Sequence, residues 1–219
     1  MLHSLMFLCR HWPRSGFGFL LGVSGSLGIH VYFFDYNVVE EIDQDQFLAF
    51  TDQVIAFEGG WKRGDDASYA GVDSLSHPNS PLWGYDLSSS PSDAIKREVY
   101  RIYMQDYYQR MRIHDLPQAI GFLIYDFGVH SGVYTSVKAA QQIAFTNPHE
   151  IDGYMGAHTV RALQKAGNGL SLSLTFQRLA HYANIIAKNP AKEAKYALGW
   201  THRAKRAFIY AKTLQHTGD

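Results

Sequence analysis

The strongest constraint in this 219-residue chain is its punctuation. From residue 41 onward, apolar residues at helical spacing come in runs that end at glycines or at Asn-Pro. Asp43 or Asp45 caps a first run holding Phe47, Leu48, Val54 and Ile55, and Gly59-Gly60 closes it. Ser90-Pro91-Ser92-Asp93 opens a second run, with Ser90 as cap, Pro91 in the first helical position and an acid in the first turn. That helix is read to about Arg112, with Val99, Ile102, Tyr103 and Tyr107 on one side. Asp115-Leu116-Pro117 starts a third, through Ile120, Leu123, Ile124 and Phe127 to Gly132. Further helices are read over Thr135 to Ala144, Thr159 to Lys165, Leu172 to Lys188 and Lys192 to Leu214, with breaks at Asn147-Pro148 and Asn189-Pro190. Residues 62–91 are rich in Gly, Ser, Asp and Pro, with no strong strand signal and room for a short hairpin. An irregular stretch of that length is usually functional or disordered. The pattern predicts an all-α fold.

The first forty residues read differently. Arg10 and Arg14 precede an uncharged run from Ser15 to Phe34, and about 20 residues of helix would cross a bilayer. Gly16, Gly18, Gly22, Gly25 and Gly28 make the run only weakly apolar. Three readings stay open. It is an export signal or releasable anchor giving transient membrane association through residues 15–34, a docked N-terminal segment, or an extension without structural role. Cys9, the sole cysteine, excludes an internal disulfide framework and a thiolate metal cluster, and the residue before it is too large for a lipidation site. The expected division is 1–40, 41–132 and 133–219.

A formal net charge of zero hides a split. Residues 35–160 hold 8 Lys/Arg against 18 Asp/Glu, and residues 161–219 hold 10 against 2. The basic C-terminal part is either a docking surface for an anionic partner or a solvated helix face. No nucleic-acid partner is expected, and the chain is long enough to form a core as a monomer without metal or disulfide support.

Glu58 is the residue best placed for chemistry. It stands at a helix end, flanked by Phe57 and Trp61, before a Gly-Gly break. The negative end of the helix dipole and an apolar flank both favour a protonated carboxyl, which a general acid for glycosidic cleavage needs. Its plainer reading is a glutamate making a surface contact. Asp65, Asp66, Asp73 and Asp86 follow as candidate second carboxylates, each also a natural turn residue. Trp61, Tyr69, Trp83 and Tyr85 offer aromatic faces for sugar rings, with core packing as the default. The histidines are scattered without a helical i, i+4 pair beside an acid, so no metal site is expected. His114 and His130 read as hydrogen-bonded residues in or near the core. No Gly-rich phosphate loop has its strand–turn–helix context, and Ser131-Gly132 is not a nucleophile elbow, so no cofactor is expected.

Val54-Ile55-Ala56-Phe57-Glu58-Gly59-Gly60-Trp61 resembles the opening of the glycoside hydrolase family 108 peptidoglycan hydrolases, the secretion-activator or N-acetylmuramidase family. Tyr125-Asp126-Phe127-Gly128-Val129-His130-Ser131-Gly132 is similar to the family's Asp-containing helix ending in Asn-Ser-Gly. Ala139-Ala140-Gln141-Gln142 and Ile151-Asp152-Gly153-Tyr154-Met155-Gly156-Ala157-His158-Thr159-Val160 resemble its C-terminal peptidoglycan-binding region, and Gly199-Trp200-Thr201-His202-Arg203 its closing Gly-Trp-x-x-Arg. The resemblance spans about residues 46 to 210. It implies a lysozyme-like helical domain with a packed helical peptidoglycan-binding region, and cleavage of the MurNAc–GlcNAc strand with Glu58 as general acid. Family members act as phage endolysins or as muramidases that help proteins cross the wall, which implies action in the periplasm or cell wall. Asp66 or Asp73 would activate water, and Trp61, Trp83, Tyr85, Asp126, His130, Gln141, Asp152 and Thr159 would line the substrate. Two departures stand out. The family's Asp-Pro-Gly-Gly-x-Thr is replaced by an insertion leading to His77-Pro78-Asn79-Ser80-Pro81-Leu82-Trp83-Gly84-Tyr85, and His130 stands where Asn is usual. Without a second carboxylate, Glu58 alone would give an anhydro end, as lytic transglycosylases do. The altered loop also fits a wall-binding protein that has lost turnover.

Overall fold

The computed structural model describes residues 18–24, 28–34, 44–64 and 67–215. The chain divides into two units, Met1–Ile42 and Asp43–Asp219. In the first, β1 (Gly18–Ser24) and β2 (Gly28–Phe34) pair antiparallel, from Gly18 opposite Phe34 to Ser24 opposite Gly28. This corrects the bilayer-length helix considered for the uncharged run. Each glycine costs a helix about 1 kcal/mol relative to alanine, whereas Val23, Ile29, Val31, Tyr32, Phe33 and Phe34 are strand formers. Among the described residues no helix is long and apolar enough to cross a membrane. Cys9, Arg10, Arg14, Asp43, Asp65 and Asp66 lie outside the described residues.

Among its described residues the second unit is built of helices joined by turns and irregular segments, with one hairpin of two-residue strands. It runs through α1 (Gln44–Phe57), β3 (Ser68–Tyr69), β4 (Val72–Asp73), α2 (Asp93–Ile102), α3 (Gln118–Ser131) and α4 (Val133–Ala144). There follow α5 (Ala157–Ala166), α6 (Ser171–Lys188), the short α7 (Pro190–Glu193) and α8 (Ala197–Leu214). The cap of α2 is Ser92 rather than Ser90. The Ser92 backbone is extended and its hydroxyl accepts from Ile95 N–H at 3.4 Å, so Pro91 falls before the cap. Beyond Ile102 the helix widens into a π-helical turn, Tyr103–Tyr108, instead of continuing regularly to Arg112.

α3 is the axle of this unit. Every residue from Ala119 to Gly128 is buried, as expected of a helix apolar on all sides. α4, α6 and α8 all pack on it. Phe122 meets Phe50 edge-on at 5.2 Å and Tyr210 at 4.4 Å, and the fully buried rings of Phe50 and Phe122 contribute about 1.5–3 kcal/mol each. α1 is tied to α3 by the buried bond between Thr51 Oγ1 and Tyr125 OH at 2.8 Å. Tyr108, in the π-turn, lies edge-on to Phe47 of α1 and to Tyr125 of α3. These contacts fix where α1 ends, and hence where Glu58 stands.

Candidate active site

Glu58 follows the last residue of α1, and its N–H still bonds the Val54 carbonyl at 3.0 Å. Gly59 and Gly60 then turn the chain away at φ of 100° and 89°, a region that strongly favours glycine. The backbone returns through β3 and β4, with Ala70 N–H bonded to Lys62 O at 3.1 Å. The turn between these strands lies against Glu58. A Cβ at Gly71, whose φ is +80°, would stand 2.7 Å from Glu58 Cγ. Tyr103, the first residue of the π-turn, donates its hydroxyl to Ala70 O at 2.9 Å and holds the turn down. The irregular segment thus folds back over the helix end.

The apolar flank expected for Glu58 is not what its neighbours provide. Phe57 packs on Phe122 and under the Arg206 guanidinium, and Trp61 lies edge-on to Tyr100 at 5.6 Å. Glu58 Oε1 instead accepts from Arg203 Nη1 at 2.6 Å, with the glutamate side chain 23% exposed. Arg203, on α8, also donates from Nη2 and Nε to Asp126 Oδ1 at 2.8 and 3.2 Å. Asp126, on α3, is fully buried, and its other oxygen accepts from Arg178 of α6 at 2.5 Å. Burial pushes the Asp126 carboxyl up, but the two guanidinium ions outweigh it and leave the group below the usual carboxylate range. Burial acts against the Arg203 charge, and the carboxylates of Asp126 and Glu58 overcome that effect and raise its pKa. Arg178 and Arg203 both engage Asp126, so the charge of this fully buried acid is paired, as it must be.

The network continues to His130. Arg178 Nε donates to Tyr182 OH at 2.5 Å, and Tyr182 OH lies 3.0 Å from His130 Nδ1. The Tyr182 hydroxyl, which accepts from arginine, still has its own hydrogen to give, and Nδ1 also lies 3.2 Å from Ser131 Oγ, so two hydroxyls converge on this ring nitrogen. Burial, then the charges of Arg203 and Arg178, lowers the His130 pKa to about 3, so the ring is neutral near pH 7.

The other sequence candidates fall into separate places. Asp73 is on β4, two residues beyond the turn that covers Glu58. It is engaged as a turn cap, accepting from Ser76 Oγ at 2.7 Å and from the backbone N–H groups of Leu75 and Ser76. The Ser76 hydroxyl and the Leu75 amide hold its carboxyl below the ordinary range. Asp86 is likewise fixed by Ser88. Trp83 donates Nε1 to His77 O at 2.7 Å, and Tyr85 is 38% exposed. Gln141 and Thr159 are buried, and Asp126 with them. Their polar atoms are used inside the protein rather than presented at a surface, which corrects their expected place along a substrate. Gln141 Nε2 donates to Asp152 Oδ1 at 2.7 Å and to Thr159 Oγ1 at 3.2 Å, and its Oε1 accepts from Gly153 N–H at 2.8 Å. Among the described residues, no group of three His, Cys, Asp or Glu is arranged to hold a metal ion.

Sequence reading missed Arg203, Arg178, Tyr103 and Gly71 as members of the site. Arg203 stood in the Gly-Trp-x-x-Arg run without a role, and the other three carried no local signal. Two cations of the basic C-terminal part point inward to Asp126, so they form no part of a docking surface.

Residues 51–132 match the family described as glycosyl hydrolase 108, and residues 135–205 match the family described as "Predicted Peptidoglycan domain". No curated protein matches the chain. Among solved structures, SagA of Brucella abortus shares the fold with a TM-score of 0.60 at 23% identity, covering 80% of this chain and 98% of that one.

Proposed function

We propose, from the match of residues 51–132 to the glycosyl hydrolase 108 family and of residues 135–205 to a peptidoglycan domain family, that the protein cuts the β-1,4 bond between MurNAc and GlcNAc in the wall, with Glu58 as general acid. The observation that carries this reading is the fixing of one carboxyl from three sides. The end of α1 sets its backbone, the Ala70-Gly71 turn lies against its stem, and Arg203 engages Oε1. Oε2 is then the oxygen that delivers a proton to the glycosidic oxygen as the bond breaks. Arg203 does not touch the reacting atoms in this scheme. It is a positioning residue that holds Glu58 in one orientation and ties it to the buried Asp126. Asp126, Gln141 and Thr159 act from behind the surface, as parts of the scaffold that places Arg203 and the Asp152-Gly153 turn.

Two outcomes of the cleavage remain distinct. In hydrolysis, Asp66 or Asp73 takes a proton from water on the opposite face of the sugar. In the second, the lactyl-bearing sugar closes on itself and leaves an anhydro end. The capped state of Asp73 favours the second, because a carboxylate already accepting three hydrogen bonds is a weak base.

A zymogram on purified wall tests the reading. Lysis by the wild type that disappears in Glu58→Gln supports it, since glutamine can still accept from Arg203 but has no proton to donate as an acid. Lysis by neither protein supports a wall-binding protein without turnover. Mass analysis of the released muropeptides separates reducing from anhydro ends.

A further inference from the structure

A second site lies away from Glu58, in a cleft of about 320 Å3 between α4 and α6 with Phe127 of α3 as its floor. The two helices present facing rows at one-turn spacing: Tyr134, Lys138 and Gln142 on α4, and Gln177, His181 and Asn184 on α6. The amides of Gln142, Gln177 and Asn184 make no hydrogen bond within the protein among the described residues. An apolar floor beneath convergent polar groups with free hydrogen-bonding capacity is the ordinary form of a ligand site.

The wall of this cleft is built by residues that the Glu58 chemistry leaves unused. Gln141 accepts from Gly153 N–H and fixes the Asp152-Gly153-Tyr154 turn. Gly153, at φ of +79°, lets the Tyr134 ring lie directly on the turn, and a Cβ there would also stand 3.2 Å from Lys138 Cγ. Tyr134 in turn carries Lys138 Nζ at 5.1 Å from its ring centroid. The Asp-Gly run and the buried glutamine therefore position the aromatic and the cation at the cleft mouth.

The chemistry of the lining selects a ligand class. Side-chain amides offer both donors and acceptors, and so suit peptide groups. Lys138 is the cation of the lining, and no acid lines the cleft. His181 packs edge-on to Phe127 at 5.6 Å, and burial first, then the charges of Lys188 and Arg178, hold its pKa below the ordinary value. With Lys138 as the one formal charge of the lining and no carboxylate beside it there, the cleft favours an anion over a cation. A chain of neutral N-acetylated sugars would satisfy the amides but leave Lys138 unanswered. A short peptide with a free carboxylate answers both.

We propose that the α4–α6 cleft binds the carboxylate-bearing peptide stem of peptidoglycan, and so seats the wall polymer independently of the residues that cut its glycan. This rests on the wall-polymer part of the functional reading and not on catalysis by Glu58.

The test uses the full-length chain carrying Glu58→Gln, titrated with the stem tripeptide L-alanyl-γ-D-glutamyl-L-lysine and, separately, with the trimer of N-acetylglucosamine. Amide resonances of α4 and α6 are followed by NMR. The tripeptide is expected to shift resonances around Lys138 and His181, and the sugar trimer to leave them in place. Lys138→Ala should weaken the tripeptide at least about fivefold, as expected for loss of one charge-assisted hydrogen bond. Gln177→Ala with Asn184→Ala, on the partly exposed face of α6, should weaken it as well. Shifts by the sugar trimer that ignore Lys138→Ala overturn the proposal in favour of a glycan site, and no shift by either probe overturns it outright. If the tripeptide binds here while the wild-type protein fails to lyse wall, the catalytic reading falls and this one stands.

Discussion

Arg203 Nη1 donates to Glu58 Oε1 at 2.6 Å, joining residues 145 positions apart, while the same guanidinium holds Asp126. The C-terminal region is therefore part of the site at the end of α1 and not an appended module. Removing this arginine leaves Asp126 buried with one cation in place of two and leaves Glu58 unheld. Arg203→Met is expected to cost about 3–5 kcal/mol, the range for breaking a buried ion pair from one side, read as a lower urea midpoint. Arg203→Lys keeps the charge but loses the fork that spans both acids. It should recover part of the stability while lysis stays well below wild type, and equal recovery of both would reduce Arg203 to a structural role.

Gly71 sets how closely the hairpin turn covers Glu58. Its φ of +80° disfavours any side chain, and an added Cβ would stand 2.7 Å from Glu58 Cγ. Gly71→Ala should therefore cost about 1 kcal/mol or somewhat more in stability and displace the turn, the glutamate or the Tyr103 hydroxyl, which the added Cβ would meet still more closely. The turnover number on soluble muropeptide substrate should fall at least about tenfold, since misplacement by an ångström is costly in catalysis. Unchanged turnover with lowered stability would mean the turn merely packs there.

The helices were legible because apolar spacing and Gly or Asn-Pro breaks are local signals, and α1, α3, α4 and α6 begin and end near where those signals lie. The π-turn at Tyr103–Tyr108 was not, because Tyr103 and Tyr107 suit an ordinary helix face equally well. β3 and β4, at two residues each, are too short to show alternation. Glu58 could be read from its helix end and the Gly-Gly after it. Its partner could not, since nothing local to Arg203 encodes an acid 145 positions away, and Arg178 reaches Asp126 across 52. In the N-terminal run, the count of uncharged residues suggested a helix, whereas the β-branched and aromatic content was the better guide.

Gln141 is the hub of the turn behind the α4–α6 cleft. It is 1% exposed and makes bonds to Asp152, Tyr154, Thr159 and Gly153. Gln141→Leu keeps the volume and strands the buried groups that it served. A loss of about 1–3 kcal/mol is expected for polar groups left unpaired. Hydrogen exchange should show faster exchange at Gly153, whose amide loses its acceptor, with α1 and the Glu58 region unchanged. Uniform loss of protection across the chain would place the effect in global stability instead.

His130 makes stability depend on pH in a direction that follows from its environment. The ring is neutral in the folded protein, with a pKa of about 3 against an ordinary 6.5, lowered first by burial and then by Arg203 and Arg178. Between these values the unfolded chain binds a proton that the folded one refuses, so stability is fully present above pH 6.5 and falls as the pH drops toward 3. The slope contributed by this one group is at most about 1.4 kcal/mol per pH unit. Asp126, whose carboxyl lies below the usual range, adds acid lability only near and below the ordinary carboxylate range, and half-buried His181 adds a smaller share in the same window as His130. Replacement by asparagine, the residue that the family resemblance expects at this position, removes the titration while its side-chain oxygen can still accept from the Tyr182 hydroxyl. His130→Asn should therefore flatten most of the loss in urea midpoint between pH 6.5 and pH 5 and leave the steeper fall below pH 4. A slope unchanged in that window would mean that the imidazole is not shielded from protons in the native state.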